Sequence, residues 1–298
     1  MWILLAIVSS ICLGFYDIVK KLALEGNNVF HVLFLNTFFC TLFMAPVLVH
    51  TLGDMQGNFV HPLSHLYLLI KALIVTASWL LGYFAIKHLP LTIQSSINAV
   101  RPILVLVGAL IIFDECPGPL QWVGIVLGFV SLLWIGFIGH KEGFSLKSNR
   151  WLWMGLASVL LWAVSGLYDK FLMQLFKPLN VEAWYSFYQL VIMAVVMLFV
   201  RGRSRVFGKF HWRWSILLIS IFICAADLSY FMCLSEEGSM VSIASMIRRC
   251  SALVAFVYGV IVLREGDLKL KIIDQCLLIA GVVCMVLGSL YTFIPVNL

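Results

Sequence analysis

Long apolar runs separated by short polar segments follow one another along the whole chain. Ten runs contain about 20 mainly apolar residues, the length that an α-helix needs to cross a hydrocarbon core about 30 Å thick. Runs such as ALIVTASWLLGYFAI do not alternate as the strands of a membrane β-barrel do. The pattern predicts an all-α integral membrane protein with ten transmembrane helices, at 2–24, 29–50, 63–88, 91–113, 119–139, 151–175, 180–200, 213–234, 240–263 and 272–294.

The composition supports a lipid-facing surface and excludes the soluble classes of protein. Of 298 residues, 62% are apolar or aromatic and only 11% are charged, against about 45–50% and about 25% in soluble domains. A soluble enzyme, a nucleic-acid binder and a disulfide scaffold are therefore excluded. The eight cysteines form no Cys-x-x-Cys pair and no Cys–His cluster with metal-ligand spacing. Since nucleotide and catalytic motifs are also absent from the sequence, we expect no cofactor, no metal and no enzymatic activity.

Lysine and arginine are divided unequally between the two sides of the predicted bundle. The loops after the odd-numbered helices, with the adjoining helix ends, contain fourteen of them, whereas the side with both termini contains only Lys170 and Lys177. The positive-inside rule places the lysine-rich side in the cytoplasm and both termini outside. We expect a multi-pass protein of a plasma (inner) membrane, of bacterial origin. The fourteen are Lys20, Lys21, Lys87, Lys141, Lys147, Arg150, Arg201, Arg203, Arg205, Lys209, Arg213, Arg264, Lys269 and Lys271.

The second half of the chain repeats polar and small residues of the first half in the same order, 147 to 153 residues later. Because each repeat has five helices, an odd number, the second copy must be inverted in the membrane. The sequence predicts two inverted five-helix repeats, 1–140 and 148–298, an architecture used for alternating access. The matched segments are 14–17 and 166–169, 83–84 and 230–231, 98–102 and 245–249, Glu115 and Glu265, and Gly128 and Gly281.

Two five-helix halves, an arginine in the middle of the fourth and ninth helices, and the acidic ends IIFDE and VLREG resemble the EamA-type transporters of the drug/metabolite transporter (DMT) superfamily. The resemblance covers essentially the whole chain. It implies ten helices, a central cavity between the halves, and substrates that are small polar metabolites, often exported. Members of the family are commonly drawn with both termini in the cytoplasm, which is opposite to the orientation that the charges of this chain predict.

Several ionisable residues fall deep within the predicted helices, where each costs about 2.5–3.5 kcal/mol unless it faces a cavity or a partner. Pro102 has no N–H, so the carbonyl of Asn98 lacks its usual helical donor. The arginine fork suits a carboxylate or phosphate. Arg101 therefore binds an anionic or zwitterionic substrate group, or it pairs internally with Asp227, Asp17 or a freed carbonyl, and both interpretations stay open. The candidate substrate-binding residues are Asn98, Arg101, Arg248, Arg249, Ser245, Tyr83, Tyr230, Trp79 and Lys71.

Acidic residues within the helices are candidates for coupling or gating. The pairs Tyr16–Asp17 and Tyr168–Asp169 occupy matched positions near opposite membrane faces if the repeat is inverted. They are gates or proton-carrying groups, or else helix-end ion pairs of Asp17 with Lys20 and Lys21 and of Asp169 with Lys170. The ion pairs are favoured, because an acid near a helix end costs little. Asp227 lies deeper, and we include it with the coupling candidates.

These observations predict a secondary transporter, an exporter or exchanger, for a small polar, anionic or zwitterionic metabolite. One alternative is a translocase for lipid-linked sugars or lipid carriers. A membrane enzyme or scaffold would have to use the Glu236–Glu237 pair, which a solvated loop explains better. Apart from the metabolite and the lipid bilayer, the expected partner is a second copy through helices 5 and 10. Their small residues, however, favour internal packing over a homodimer; they are Gly124, Gly128, Gly281, Cys284 and Gly288.

Overall fold

The described part of the chain folds into ten α-helices and contains no β-strand. A computed structural model describes residues 1–24, 27–53, 62–88, 101–139, 150–201, 211–251, 253, 254, 258 and 268–292. We number the helices in chain order. They are α1 (Trp2–Leu24), α2 (Val29–Gly53), α3 (Pro62–His88), α4 (Arg101–Ile112), α5 (Pro119–Gly139), α6 (Arg150–Leu175), α7 (Pro178–Arg201), α8 (Ser215–Ser235), α9 (Val241–Arg248) and α10 (Leu268–Thr292).

Six of these helices, α1, α2, α3, α6, α7 and α8, are long and apolar enough to cross a membrane. Every predicted run overlaps a helix, so the prediction of an all-helical architecture is confirmed. The overlap is shorter for two predicted runs, 91–113 and 240–263, because α4 and α9 have 12 and 8 residues. Asn98 and the side chain of Tyr83 lie outside the described part of the chain.

Proline and residues with positive φ mark several helix boundaries. Pro62, Pro119 and Pro178 are the first residues of α3, α5 and α7. A proline fits there because the first N–H groups of a helix have no intrahelical acceptor. Asp114, with φ 50°, follows the end of α4, and Gly238, with φ 74°, lies in the turn before α9. The left-handed conformation lets the chain reverse in these short turns.

The helices form two compact units, and neither unit is one half of the sequence. The first unit contains Met1–Ala77 and Tyr168–Glu237, and the second contains Ser78–Leu167 and Gly238–Leu298. Each unit therefore takes helices from both halves. Helices α3 and α6 run from one unit into the other, because the boundaries fall within them.

In the first unit, α1 packs on α8 and α2 packs on α7. Ser9 Oγ donates a hydrogen bond to the carbonyl oxygen of Ala226 at 2.6 Å. Further along α1, Arg213 Nη1 donates to the carbonyl oxygen of Leu22 at 2.8 Å. Rising residue numbers in α1 thus meet falling numbers in α8, and the two helices are antiparallel.

In the second unit, α5 packs on α10, and α9 contacts α4, α5 and α10. A Cβ atom on Gly281 would lie 2.8 Å from the carbonyl oxygen of Gly124. A Cβ on Gly288 would lie 2.8 Å from the Cγ atom of Gln121. These glycines allow the two helices to approach closely, and they do so within one chain.

Helices α3 and α6 are also antiparallel, in the same register as α8 and α1. Ser158 Oγ donates to the carbonyl oxygen of Ser78 at 2.8 Å. By the offsets of the sequence repeat, Ser9 of α1 corresponds to position 161 of α6, 152 residues later. Its partner Ala226 of α8 corresponds to position 79 of α3, 147 residues earlier. The rings of Trp79 and Trp162 meet there, with centroids 6.5 Å apart. The helix pair α1–α8 therefore has a counterpart in α6–α3.

Candidate functional site

A buried ion pair lies in the first unit. Lys71 of α3 is 2% exposed, and its Nζ atom bonds to a carboxylate oxygen of Asp169 of α6, which is 7% exposed. The same Nζ atom lies 4.5 Å from the ring centroid of Tyr185 on α7 and 4.6 Å from that of Phe231 on α8. Aromatic faces attract a cation electrostatically. Four helices therefore surround one buried ammonium group.

The partner of Asp169 corrects the sequence interpretation. The sequence favoured a pair with Lys170, but the structure joins Asp169 to Lys71 on another helix. Consecutive residues on a helix do not face each other, and Lys170 Nζ donates to the carbonyl oxygen of Leu234 at 3.1 Å. Lys71 is consequently a paired cation rather than an uncompensated one.

The two matched Tyr–Asp pairs have different surroundings. In the first pair, Asp17 is exposed and Tyr16 is buried, with Lys20 Nζ 5.1 Å from its ring centroid. In the second pair, Asp169 is buried and the Tyr168 hydroxyl donates to the carbonyl oxygen of Tyr67 at 3.1 Å. The sequence repeat therefore does not extend to the environment of the two acids.

Glu182, near the start of α7, is a third acid beside the ion pair. It is 2% exposed, and within the described part of the chain its Oε2 atom accepts no hydrogen bond. The charges that act on it include those of Lys71, Asp169 and Asp227. Sequence reasoning missed this residue because it lies within one turn of the helix end. The available signal was a polar face with helical spacing, formed by Glu182, Tyr185, Ser186 and Gln189.

The polar side of α8 continues toward the same acids. Asp227 is half-buried, three residues after the buried Cys224 and seven after the buried Ser220. Ser220 Oγ donates to Asn36 Oδ1 at 2.9 Å, which joins α8 to α2. Tyr230, predicted to bind substrate, is buried, and its ring centroid lies 6.4 Å from that of Phe231.

In the second unit, Arg101 is the first residue of α4 and stacks on an indole. Its guanidinium carbon lies 4.5 Å from the ring centroid of Trp162. The buried Trp79 extends this aromatic surface through its contact with Trp162. The N–H groups of a guanidinium lie in its own plane, so a guanidinium stacked on an aromatic face can still bind oxygen atoms through its edge. Two predicted residues, Arg101 and Trp79, are thus brought to the same indole.

The two adjacent arginines of α9 differ in their environments. Arg248 is 9% exposed, whereas Ser245 and Arg249 are half-buried. Residues four apart lie on the same side of a helix, so Ser245 and Arg249 share a face. Arg248 lies about 100° away around the axis. The two adjacent side chains therefore point to different sides of α9, in agreement with their difference in burial.

Glu115 caps the N-terminus of α9. Its carboxylate accepts hydrogen bonds from the backbone N–H groups of Val241 and Ser242 and from the Ser242 hydroxyl. A carboxylate is favourable at a helix N-terminus, where backbone donors are unpaired. Because Glu115 follows α4 by only a few residues, the end of α4 meets the start of α9, and the two packed helices are antiparallel.

The candidate residues therefore fall into two groups, one in each unit. The first contains Lys71, Asp169, Asp227 and the newly found Glu182; the second contains Arg101 and the arginines of α9. No group of histidine, cysteine, aspartate and glutamate side chains suited to a metal ion occurs in the parts of the chain that the structure describes.

Comparison with known proteins gives a family and a fold. The model of the EamA-like transporter family matches residues 1–137 and 149–287. A solved structure described as "Crystal structure of protein" is similar, with a TM-score of 0.74, over 95% of this chain and 96% of that chain. Its sequence identity is 12%, so this likeness concerns the fold alone. No curated protein matches the chain.

Proposed function

Because this chain belongs to the EamA-like transporter family of the DMT superfamily, we propose that it is a secondary transporter of a small polar, anionic or zwitterionic metabolite. It is a multi-pass membrane protein, and the members of its family are transporters rather than enzymes. The observation that carries the proposal is the placement of charged groups inside apolar helices. Intramembrane ionisable residues are costly, and they commonly line substrate or ion pathways.

The packing of corresponding helices supports ten membrane spans arranged as an inverted repeat. Three helices pack on their own counterparts from the other half, namely α2 on α7, α4 on α9 and α5 on α10. The pairs α1–α8 and α6–α3 correspond as well, with matching contacts. A pseudo-twofold axis in the membrane plane relates helices in this way. Such a structure has two equivalent ways to open, which is the basis of alternating access.

The distribution of charge favours an anionic group on the substrate. The candidate arginines Arg101, Arg248 and Arg249 lie in the second unit. Arg101, on its indole surface, and Arg249, on the face of Ser245, are the residues that we assign to a carboxylate or phosphate. The guanidinium fork binds either group through two parallel hydrogen bonds. An export or exchange direction, with both termini outside, completes the proposal.

A binding screen tests the proposed substrate class. Purified protein in detergent is heated with amino acids, nucleosides, sugars, phosphorylated metabolites or a polyprenyl phosphate, and unfolding is followed by intrinsic fluorescence. We expect a water-soluble compound with an anionic group to raise the melting temperature, because a ligand of the folded state stabilises it. Stabilisation by the polyprenyl phosphate alone would instead support a lipid-carrier translocase and contradict the proposal.

Variants of the assigned residues test where the compound binds. Hydrogen bonds to charged groups contribute about 1.5–3 kcal/mol, so Arg101→Ala should weaken binding by roughly 10- to 150-fold. Arg213→Ala is the matched control, because Arg213 binds the carbonyl oxygen of Leu22 at the end of α1. Equal affinities of wild type and Arg101→Ala, with both proteins folded, would show that Arg101 has no contact with the ligand.

A further inference from the structure

Glu182 combines deep burial with an unsatisfied oxygen, an arrangement that helix packing does not require. The residue is 2% exposed, and Oε2 has no hydrogen-bond partner among the residues with described positions. An ionised carboxylate in such surroundings costs several kcal/mol unless it is paired and hydrogen-bonded. A bound proton removes this charge and turns the group into a neutral acid.

The neighbours of Glu182 define the electrostatics of the cluster. From α3 comes Lys71, from α6 Asp169, and from α8 Asp227 and Cys224. Tyr185 lies one turn further along α7 itself, and Cys40 of α2 acts on Tyr185. One cation therefore faces three carboxyl groups. If all three were ionised, the three acids and Lys71 would together carry a net charge of −2 in an apolar region, which favours the binding of a positive charge.

Lys71 can bind more than one of these acids. An ammonium group has three N–H donors, and Asp169 accepts from it through one oxygen. The rings of Tyr185 and Phe231 also contact Nζ and attract the cation, but they carry no charge. A second carboxylate can consequently compete with Asp169 for the same ammonium group.

We propose that Glu182 is a proton-binding site whose occupancy decides which acid holds Lys71. With the proton bound, Glu182 is neutral and Lys71 pairs with Asp169, as in the structure. When the proton passes to water, the Glu182 carboxylate competes for Lys71 and weakens the bond between α3 and α6. The role of this proton in transport rests on the proposed function. Within that function, the coupling proton binds to Glu182 rather than to the exposed Asp17.

Chemical labelling of the wild-type protein tests proton binding directly. Dicyclohexylcarbodiimide enters apolar regions and reacts with protonated carboxyl groups. The O–H adds across a C=N bond to give an O-acylisourea, and the acyl group then moves from oxygen to nitrogen to leave a stable N-acylurea. Mass spectrometry should locate the adduct on Glu182 and show that labelling decreases as the buffer is made alkaline. Glu237, an exposed acid after α8, is the control in the same sample and should stay unlabelled. Labelling of other acids with none on Glu182 would overturn the proposal.

Two variants test the competition for Lys71 and the identity of the acid. Asp169→Asn should lower the labelling of Glu182, because Lys71 then pairs with Glu182 and displaces its proton. Unchanged or increased labelling contradicts the exchange of partners. In infrared spectra, Glu182→Gln should lose the carbonyl band of a protonated acid, whereas Glu237→Gln should keep it. A band that survives Glu182→Gln in folded protein also contradicts the assignment.

These measurements need no substrate and no transport, so they separate the two proposals. Labelling of Glu182 in a protein that binds no metabolite would leave the proton site intact and contradict the transport function. Binding of a metabolite by a protein in which Glu182 is not protonated would leave the transport function intact and contradict the proton site. If Glu182→Gln does not fold, the labelling of wild-type protein still decides the question.

Discussion

Removal of one partner from the buried Lys71–Asp169 pair should destabilise the protein measurably. Asp169→Asn keeps the size of the side chain and removes its charge, which leaves Lys71 buried at 2% exposure. Breaking a buried ion pair in this way costs about 3–5 kcal/mol. Glu182 then replaces Asp169 as the partner of Lys71, whose Nζ atom stays 4.5 and 4.6 Å from the ring centroids of Tyr185 and Phe231, and this recovers about 2 kcal/mol of the loss. The expected decrease in the free energy of unfolding is therefore about 1–3 kcal/mol.

A double-mutant cycle separates this interaction from unrelated effects. Purified wild type, Asp169→Leu, Lys71→Met and the double variant are unfolded with increasing sodium dodecyl sulfate, and the folded fraction is followed by circular dichroism. The double variant should recover most of the stability, because an apolar pair of similar volume can replace a buried ion pair. We expect a coupling energy above about 1 kcal/mol.

The control cycle uses the neighbouring residue Lys170, which the sequence favoured as the partner of Asp169. Lys170→Met removes a hydrogen bond to the carbonyl oxygen of Leu234. Since that bond does not involve Asp169, the coupling between Lys170 and Asp169 should stay within about 0.5 kcal/mol. A small coupling for Lys71 and a large one for Lys170 would refute the assigned pair.

Three further predictions concern the packing and orientation of the helices. Gly281→Val should cost more than about 2 kcal/mol, since its Cβ would lie 2.8 Å from the carbonyl oxygen of Gly124; the exposed Leu287→Val is the control in the same unfolding assay. Glu115→Gln should lower the free energy of unfolding by about 0.5–2 kcal/mol, because the N-terminus of α9 loses its charged cap. A decrease no larger than that of Glu237→Gln would contradict this role. A reporter fused before Met1 should be active only outside the cytoplasm, as the excess of Lys and Arg on the opposite side requires; cytoplasmic activity would reverse the orientation.

The helices could be predicted from the sequence because their length and hydropathy are set by the membrane. Each of the ten apolar runs overlaps a helix in the described ranges, and six of these helices are long and apolar enough to cross a membrane. The order of the matched polar residues predicts an inverted repeat, although each match alone is weak, and the family model matches the two halves of the chain separately. The apolar runs and the matched residues depend only on position along the chain. Since the rise per residue of a helix is fixed, that position also gives the depth of a residue within its helix.

The pairing of charges could not be predicted, because it depends on the rotation of each helix about its axis. Lys71 and Asp169 are 98 residues apart, and nothing in their own helices shows that they face each other. Glu182 was missed for a related reason, since its position near the end of α7 suggested contact with water. Its burial follows from its neighbours on α3, α6 and α8 rather than from its depth.

The small residues of α5 and α10 show the same limitation. Their spacing predicted a close contact, and the choice between internal packing and a homodimer depended on which helix lies opposite. Gly124 and Gly281 face each other within the chain, as the favoured interpretation expected. A homodimer remains a prediction, and it would have to use the outward residues of these helices, such as Val126 and Val283, which are exposed.

Transport by purified protein tests the central claim most directly. Wild type, Arg101→Ala and Arg213→Ala are reconstituted into liposomes loaded with the anionic compound that raises the melting temperature, and exchange for labelled external compound is measured. We predict rapid exchange by wild type and Arg213→Ala and loss of at least about 90% of the rate in Arg101→Ala. Exchange no faster than in protein-free liposomes would contradict the transport function. Equal rates in wild type and Arg101→Ala would contradict the placement of the substrate at Arg101.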